Sequence, residues 1–355
     1  MSAVKVTLRD VALQAQVHYA TASTVLNGSK GSTRVSEETC RRVLKTAEEL
    51  GYKVNRTAQQ LKTQRSNVVG LLVGDLENPF FAHMVSLCSE ALEREGYDVV
   101  LTTRRQDAGS DLHLLDSLLS RQLAGVLIWS ETLTEVHDKV HQRGINNVVV
   151  MGMDIPGYDR VAGLMEQGID EAMEHLRAEG HSRIGYFAPR SVLNRPGDPR
   201  EEIYRERMAA FGQRARIISY EGNAFDVTAA RAAAEDLADR MSGQPVEERP
   251  DALFCFNDMN AFGAMMGLRR KGLTVPDDMA LVGCDNLPLA MHLDVPLTTI
   301  DYPLQTVCQT AVRMLVNRIQ ESQDSLPEAP LHTELLATRL VVRESSLRRA
   351  SSSHK

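Results

Sequence analysis

The sequence predicts an α/β fold preceded by a separate all-α segment, and three observations support this prediction. From about residue 68 onward, short apolar runs alternate with amphipathic helical segments in the 355-residue chain. The apolar runs are too continuous for half-exposed strands, which is typical of parallel sheets buried on both faces. Residues 1–62 contain only short helical patterns. Because the strand-like runs are too many for one mononucleotide-binding half, we expect two doubly wound subdomains.

The charge distribution separates the same two parts of the chain. Residues 1–66 contain 11 Lys and Arg against 5 Asp and Glu, a net charge of +6. The remainder contains 29 against 42, a net charge of −13. A basic segment can bind a polyanion, but chance clustering of solvated charges gives the same pattern. Charge alone leaves both interpretations open.

The basic segment contains three short helical patterns. The first is an apolar stripe that contains Leu8, Val11 and Ala15. The last follows Ser36, a typical N-cap residue, and ends before Gly51. Between them, residues 19–27 (YATASTVLN) form another helix that is reached through a tight connection. Two short helices joined by a turn in a basic segment are typical of a helix-turn-helix motif.

The helix of residues 19–27 is expected to have two different faces. At about 100° per residue, Ala22, Val25 and Leu26 fall on one side. The opposite side carries only small or polar residues, with an aromatic at its margin: Ala20, Ser23, Thr24, Asn27 and Tyr19. Such a face lets the backbone approach the major groove of DNA, where hydroxyl, amide and methyl groups can contact base edges. The alternative is a solvated helical face with no specific role.

The body of the chain contains seven strand-like runs. They are residues 68–75, 98–103, 125–130, 146–152, 183–188, 252–257 and 279–285. The periodicity of residues 79–95 predicts a helix, because Met84, Cys88 and Leu92 recur at helical spacing and Gly96 follows as a helix-ending glycine. Since doubly wound sheets bind ligands at the carboxyl ends of their strands, we expect a crevice between the two subdomains.

Five scattered cysteines, without a CxxC pair or metal-ligand spacing, fit a reducing compartment. The N-terminus lacks the apolar region of a signal peptide, and the longest apolar runs are strand-sized. We therefore expect a soluble cytoplasmic protein that makes no contact with a membrane.

No motif indicates a metal, a cofactor or a catalytic site. His137 and His141 are spaced i, i+4, which can bind zinc, but no third or fourth ligand is evident nearby and a solvated helix face is favoured. No phosphate-binding glycine loop or nucleophile motif occurs. We expect neither a cofactor nor enzymatic activity.

Several ordered motifs resemble the lactose-repressor (LacI) family of bacterial transcription regulators. They begin with TLRDVALQAQVHYATASTVLN, VSEETCRRVLKTAEELGYKVNRTAQQLK and VVGLLVGDLENPFF. The resemblance continues through HLRAEGHSRIGYF, LFCFNDMNAFGAM, VPDDMALVGCD, PLTTI and LVVRESS, and so covers nearly the whole chain. It implies four segments: a helix-turn-helix domain in residues 1–54, a hinge helix and linker in 55–66, an effector-binding and dimerisation domain of periplasmic-binding-protein type in 67–346, and a disordered tail in 347–355.

The resemblance implies specific DNA contacts. Family positions that match three residues of the recognition helix read base edges: Tyr19, Ala20 and Thr24. Positions that match three others mainly hold phosphates: Thr21, Ser23 and Asn27. Relatives commonly have arginine, which reads guanine, at the position of Thr24. We therefore expect readout through thymine methyls and hydroxyl contacts. Two further departures precede the helix, since Gln16 replaces a usual turn glycine and His18 a usual serine.

Residues 55–62 (NRTAQQLK) match the hinge helix of the family. The resemblance implies DNA contacts for Asn55, Ala58 and Leu61, with Leu61 inserted into the minor groove. An inserted apolar side chain unstacks a base step and bends the duplex. Alternatively, Ala58 and Leu61 pack on the body of the protein.

The resemblance also implies an effector site in the crevice. The matching positions are Asp75, Phe80, Phe81, Arg207, Phe225, Asn257 and Asp285. Among these, Arg207 matches an arginine that grips the effector, while Ala224 is an alternative to Phe225. Either phenylalanine of NPFF could instead belong to the helix core, and Asp285 could be a cap. Leu164 and Met165 stand where many relatives have an acidic residue and asparagine, so polar contacts are missing from that wall.

These observations predict a homodimeric DNA-binding repressor. We expect a small metabolite, a sugar or related compound, to bind between the subdomains and to change the affinity for a palindromic operator. A cytoplasmic solute-binding protein with the same two subdomains is the alternative, although the basic head argues against it. An enzyme on this scaffold is a third possibility, because a fold does not determine a function.

Overall fold

A computed structural model describes residues 6–27, 35–52, 66–103, 118, 120–129, 147–152, 155–194, 198–323 and 330–348. The chain divides into two compact units, Met1–Ser66 and Asn67–Lys355, which we call the head and the body. None of the described helices is long and apolar enough to cross a lipid bilayer.

The described part of the head contains the three helices that the sequence predicts. They are α1 (Leu8–Gln14), α2 (Tyr19–Asn27) and α3 (Glu37–Glu49). Thr7 begins α1 with a capping box, in which Thr7 and Asp10 bond each other's backbone amides. Ser36 caps α3 by accepting a hydrogen bond from the amide of Thr39.

A small apolar core holds the head together. Val11, Ala15, Ala22 and Val43 are fully buried in it. Because α1 and α2 contribute mainly alanine and valine to this contact, the helices can approach each other closely. The guanidinium of Arg42 also donates a hydrogen bond to the carbonyl of Ala15 at 3.0 Å, where the last turn of α1 leaves carbonyls without helical partners.

The body contains two six-stranded sheets. The strands of the first are β1 (Val68–Val73), β2 (Asp98–Thr103), β3 (Gly125–Ile128), β4 (Val148–Met151), β5 (Asp159–Leu164) and β11 (Thr333–Ala337), in the order β11-β5-β4-β3-β1-β2. All of these neighbours are parallel.

The strands of the second sheet are β6 (Ile184–Pro189), β7 (Arg216–Tyr220), β8 (Ala252–Cys255), β9 (Ala280–Cys284), β10 (Thr298–Asp301) and β12 (Arg339–Val341), in the order β12-β10-β9-β8-β6-β7. Its strands are parallel except for β12, which pairs antiparallel with β10.

Six helices of the body lie in the described residues. They are α4 (Pro79–Arg94), α5 (Met165–Ala178), α6 (Arg200–Ala210), α7 (Val227–Ser242), α8 (Asp258–Arg270) and α9 (Leu304–Gln323). Successive residues of β8 face different clusters: Ala252 and Phe254 pack with α5 and α6, whereas Leu253 and Cys255 pack with α7 and α8. This burial on both faces explains why the strands read as continuous apolar runs.

The chain crosses between the two sheets three times within the described residues. It passes from β5 to α5 at Leu164 and Met165, from β10 to α9 at Tyr302, and from β11 to β12 at Thr338. The Tyr302 hydroxyl accepts a hydrogen bond from the amide of Gly163 at 2.9 Å. The Thr338 hydroxyl donates to the carbonyl of Leu164 and accepts from the amide of Gly168. The crossings therefore form one hydrogen-bonded group.

The fold class is confirmed, with three differences. The strand β2 is at an edge and none of its residues is fully buried, so it is not the two-sided buried strand that the sequence predicts. The strands β5, β7, β10, β11 and β12 lie outside the seven predicted runs, because they are short or carry polar residues. Finally, two residues of the predicted tail, Leu347 and Arg348, are among the described residues, and the amide of Arg348 bonds the carboxylate of Glu179 at 2.9 Å. Residues 349–355 lie outside the described part.

Candidate functional site

The helix α2 has the two faces that the sequence predicts. Ala22 is fully buried, and Val25 and Leu26 pack on the core of the head. On the other face, Ala20 is exposed and Tyr19 is 47% exposed. The side chains of Thr21, Ser23 and Thr24 are half-buried. The geometry leaves this face accessible to a partner, and its DNA contacts remain a prediction.

The two departures before α2 have structural consequences. Gln16 has a φ of 52°, in the left-handed region where glycine is favoured, so it takes the conformation of the usual turn glycine at a steric cost. His18 acts as the N-cap of α2 in place of the usual serine, because its Nδ1 accepts a hydrogen bond from the amide of Ala20 at 3.2 Å. The turn is therefore kept with different chemistry.

The hydroxyl of Thr24 is used within the helix. Its oxygen donates a hydrogen bond to the carbonyl of Ala20 at 2.9 Å. This bond uses the hydroxyl hydrogen, so Thr24 can offer a methyl group and an acceptor lone pair to a neighbouring surface rather than a second donor. Such a side chain cannot replace the bidentate contact of an arginine with guanine.

Several predicted residues cannot be placed. Asn55, Ala58 and Leu61 of the hinge segment lie outside the described residues, as do His137 and His141. Asn27 lies in α2, but its side chain is also outside the described part. The described residues contain no group of His, Cys, Asp and Glu that could hold a metal ion.

A cavity of about 950 Å³ lies in the body, lined by residues of both subdomains. Residues within two positions of the carboxyl ends of strands in both sheets line it, among them Asp75 after β1, Trp129 after β3, Asn257 after β8 and Asp285 after β9. Carboxyl ends of parallel strands are where doubly wound folds bind ligands. The predicted crevice is therefore present.

One wall of the cavity is aromatic. The ring centroid of Phe80 lies 5.3 Å from Trp129 and 5.7 Å from Tyr302, and that of Phe81 lies 5.5 Å from Phe80. All of these pairs are edge-to-face, a favourable geometry for aromatic rings. Phe80 is only 5% exposed and mainly supports the wall, while Phe81 is half-buried. Sequence reasoning missed Trp129 and Tyr302, although a single tryptophan after a buried strand was a signal for the first.

The cavity lining also contains an arginine that sequence reasoning missed, Arg200. The guanidinium of Arg200 makes two hydrogen bonds with the carboxylate of Asp198, at 2.9 and 2.8 Å, and one with the carbonyl of Phe256 at 3.0 Å. Its Cζ atom lies 3.8 Å from the centroid of the Phe256 ring. This bidentate and stacked arrangement holds Arg200 rigidly in the cavity wall.

Arg207 is not among the described residues that line the cavity, so the geometry gives no support to its predicted effector contact. Its Nε and Nη2 atoms bond the carboxylate of Asp170 on α5, the second at 2.7 Å. The physical reason is the position of Arg207 on α6. Arg200 is the first residue of this helix, at the end beside the cavity, and Arg207 lies about 10 Å further along the helix axis.

Asp285 lies in the cavity wall with a strained backbone. Its φ is 117°, which non-glycine residues rarely adopt. Its amide donates to the carbonyl of Ile300 at 2.9 Å, which fixes the loop after β9 against the next strand. Burial raises the pKa of this carboxyl from 3.8 to about 7, although the nearby Arg200 opposes the change. Asp285 can therefore exchange a proton near neutral pH.

The buried carboxylate of Asp258 forms hydrogen bonds that hold the loop after β9. Its carboxylate is completely buried and accepts hydrogen bonds from the amide of Leu287, at 2.7 Å, and the hydroxyl of Thr299. Burial, together with the charge of Asp285, raises its pKa well above the usual value. Asp258 does not line the cavity, and its two bonds attach the segment after Asp285 to the fold.

The side-chain amide of Asn257 is also largely committed to the fold. It caps α8 by accepting from the amide of Asn260 at 3.0 Å and donates to the carbonyl of Ala224 at 2.8 Å. Ala224 and Phe225 both line the cavity, as do Leu164 and Met165. Lining alone therefore leaves open which of Ala224 and Phe225 contacts a ligand.

Comparisons with known proteins agree with this architecture. A family model described as "Bacterial regulatory proteins, lacI family" matches residues 7–55, and one described as "Periplasmic binding protein-like domain" matches residues 173–346. An "HTH-type transcriptional repressor PurR" of Aliivibrio salmonicida is 30% identical over 94% of this chain and 98% of its own length.

Solved structures show the same fold. The lac repressor dimer bound to operator and an anti-inducer matches with a TM-score of 0.76 and 24% identity, over 97% of this chain and 100% of that one. A complex of the transcriptional regulator CelR with cellobiose matches with a TM-score of 0.66 and 28% identity, over 96% of this chain and 99% of that one.

Three observations lead to one conclusion. The head matches a helix-turn-helix family model, a ligand-sized cavity lies between two doubly wound subdomains, and a known repressor is similar over nearly its whole length. The chain belongs to the LacI family of bacterial regulatory proteins and is a metabolite-controlled, DNA-binding transcriptional repressor.

Proposed function

We propose that the cavity is the effector site and that Asp75, Phe80, Phe81, Phe225, Asn257 and Asp285 belong to it, with Arg200 in the place predicted for Arg207. The observation that carries this proposal is the position of the cavity. Residues of both subdomains line it, and two of the crossings contribute to its wall through Leu164, Met165 and Tyr302. A ligand there contacts both subdomains at once.

The crossings provide a physical route from the effector to the relative orientation of the subdomains. Tyr302 lines the cavity with its ring and bonds Gly163 with its hydroxyl. A ligand that contacts the ring in only one orientation of the subdomains stabilises that orientation, because it binds the two states with different affinities. A coupling of about 1–3 kcal/mol is typical of such allosteric control.

In the head, α2 is the element proposed to enter the major groove. Tyr19, Ala20 and Thr24 would contact base edges there, and Thr21, Ser23 and Asn27 would contact phosphates. Asn55, Ala58 and Leu61 would contact the minor groove. Support comes from the accessible face of α2 and from the net charge of +6 on residues 1–66, which carry 11 Lys and Arg against 5 Asp and Glu.

We further propose that the protein binds as a homodimer to a palindromic operator. Two heads related by two-fold symmetry match half-sites about 34 Å apart, or a multiple of that distance. The similar lac repressor structure is a dimer on its operator. The chain carries out no reaction in this scheme, and it acts where bacterial DNA is, in the cytoplasm.

Selection of the purified protein on randomised duplexes tests this function. We expect a palindromic consensus, a binding stoichiometry of two chains per duplex, and affinity that falls steeply with salt. Small compounds that raise the melting temperature should then change the affinity for the selected duplex. Selection that enriches no sequence would support the alternative, a solute-binding protein without DNA regulation.

A further inference from the structure

The proposed effector cavity carries a large excess of negative charge. Among the described residues, seven carboxylate and two guanidinium side chains line it. An excess of this kind matters for ligand choice, because a cleft lined by one sign of charge attracts the opposite sign and repels its own. The two arginines can offset this negative charge for an anionic ligand only through donors that are not already bonded to the protein.

Both arginines are partly committed to bonds within the protein. Arg200 has its charge neutralised by Asp198, and its remaining bond goes to the carbonyl of Phe256. The guanidinium of Arg160 donates twice to the carbonyl of Gly152, at 3.1 and 3.0 Å. Tight binding of a phosphate or carboxylate normally uses a bidentate arginine, and the Nε and Nη2 atoms of both arginines already donate to the protein itself.

Three of the lining carboxylates make neither an ion pair nor a hydrogen bond with the described residues. Glu202 and Glu206 are exposed and lie one turn apart on α6, and Glu166 is exposed in the first turn of α5. Ionised carboxylates are acceptors only, so each needs a donor from water or from a ligand. The aromatic wall, which contains Phe81 and Trp129, provides an apolar surface for a ring in the same cavity.

We infer that the effector is a ring compound without a phosphate or carboxylate, which presents hydroxyl or amino donors to Glu166, Glu202 and Glu206. This inference rests on the proposed effector site and names the chemistry of its ligand. The three carboxylates exclude anions, and the aromatic wall holds the ring. The cellobiose bound by the similar CelR structure has this chemistry.

Inorganic phosphate tests the exclusion of anions without knowledge of the natural ligand. The melting temperature of the full chain is measured in millimolar phosphate and in sodium chloride of equal ionic strength. The cavity variant is Glu166→Gln/Glu202→Gln/Glu206→Gln, and its matched control is Glu93→Gln/Glu247→Gln/Glu344→Gln, which removes three exposed carboxylates elsewhere. Each variant is compared with itself in the two salts, so any change in basal stability cancels.

We expect phosphate to raise the melting temperature of the cavity variant only, because ligand that binds the folded state stabilises it. Stabilisation of the wild type by phosphate, abolished by Arg200→Gln, would overturn the inference. So would a cavity variant that responds to phosphate no more than the control, since the three carboxylates would then not be what excludes anions.

Matched compounds provide the second arm, with D-glucose, D-glucosamine and D-glucose 6-phosphate as one set and adenosine and its 5′-monophosphate as another. Calorimetric titration should show that the phosphorylated member of a set binds more weakly than its parent, and the glucosamine arm separates ammonium from hydroxyl donors. A phosphorylated member that binds more tightly than its parent contradicts the inference. Because neither arm contains DNA, failure here is distinct from failure of operator selection, which would refute the proposed function.

Discussion

The hydroxyl oxygen of Tyr302 accepts a hydrogen bond from the amide of Gly163 at 2.9 Å and so joins two of the connections between the subdomains. The contact is also tight on the ring side, since a Cβ atom on Gly163 would lie 2.5 Å from Cε2 of Tyr302. Tyr302, which lines the proposed effector cavity, is therefore hydrogen-bonded to the backbone of a crossing.

The first prediction concerns this contact. Tyr302→Phe should reduce the free energy of unfolding by about 1–3 kcal/mol, because the amide of Gly163 loses its acceptor in a partly buried place. Gly163→Ala should cost a similar amount, about 1–3 kcal/mol, through overpacking against the ring. Urea unfolding followed by Trp129 fluorescence measures both, since Trp129 is the single tryptophan and lies in the body. The half-buried Tyr97, changed to Phe, is the control, and equal stability of Tyr302→Phe and Tyr97→Phe would contradict the prediction.

The second prediction separates the two arginines of α6. Arg200→Ala should weaken effector binding about tenfold or more, the equivalent of roughly 1.4 kcal/mol, because Asp198 and the Phe256 ring lose the group that orders their wall. Arg207→Ala removes only a partly exposed pair with Asp170, so it should leave effector affinity unchanged and lower stability by about 1 kcal/mol or less. Titration of Trp129 fluorescence with a compound that shifts the melting temperature measures both affinities. Loss of binding in Arg207→Ala would restore the original assignment.

The third prediction is a pH dependence of stability that originates at Asp285. Its pKa is about 7 in the folded protein against an ordinary 3.8, so the folded state binds more protons between these values. The contribution of this group to stability is therefore present below about pH 4 and is lost as the pH rises toward 7, with a slope of at most about 1.4 kcal/mol per pH unit.

Unfolding of the wild type and Asp285→Asn across this pH window measures the contribution as the difference between the two proteins. The exposed Asp294 provides the control variant Asp294→Asn. We expect the difference between wild type and Asp285→Asn to change steadily with pH, and the Asp294 control to follow the wild type. A difference that is constant across the window would show that Asp285 titrates as an ordinary carboxyl.

The fourth prediction concerns base readout. Thr24→Arg should change the selected operator toward guanine at the contacted position and should not abolish binding, because arginine reads O6 and N7 of guanine while Thr24 now offers a methyl and a lone pair. Parallel selection of both proteins on randomised duplexes measures the change. The buried core of the head is unaltered by this substitution, so identical consensus sequences would mean that position 24 does not face the bases.

Local patterns were sufficient to predict much of this molecule. The stripe that includes Val11 and Ala15 and the small polar face of α2 follow from helical periodicity, and the buried strands follow from short apolar runs. Asp75, Asn257 and Asp285 lie within two residues of the carboxyl ends of such strands, so their place in the cavity follows from the rule for parallel sheets. The burial of β2 and the presence of β12 were harder to predict, because both depend on which neighbours the sheet provides for an edge strand.

The sequence by itself thus determined the order of the elements, the basic head and the edge of the sheets where the cavity lies, because these depend on periodicity, charge and chain direction. Only the tertiary structure decided that Arg200 rather than Arg207 stands in the cavity wall, and that Trp129 and Tyr302 complete its aromatic side. The physical reason is distance along the chain. These side chains meet because two sheets and three crossings bring distant residues together, and one helix axis separates two similar arginines by about 10 Å.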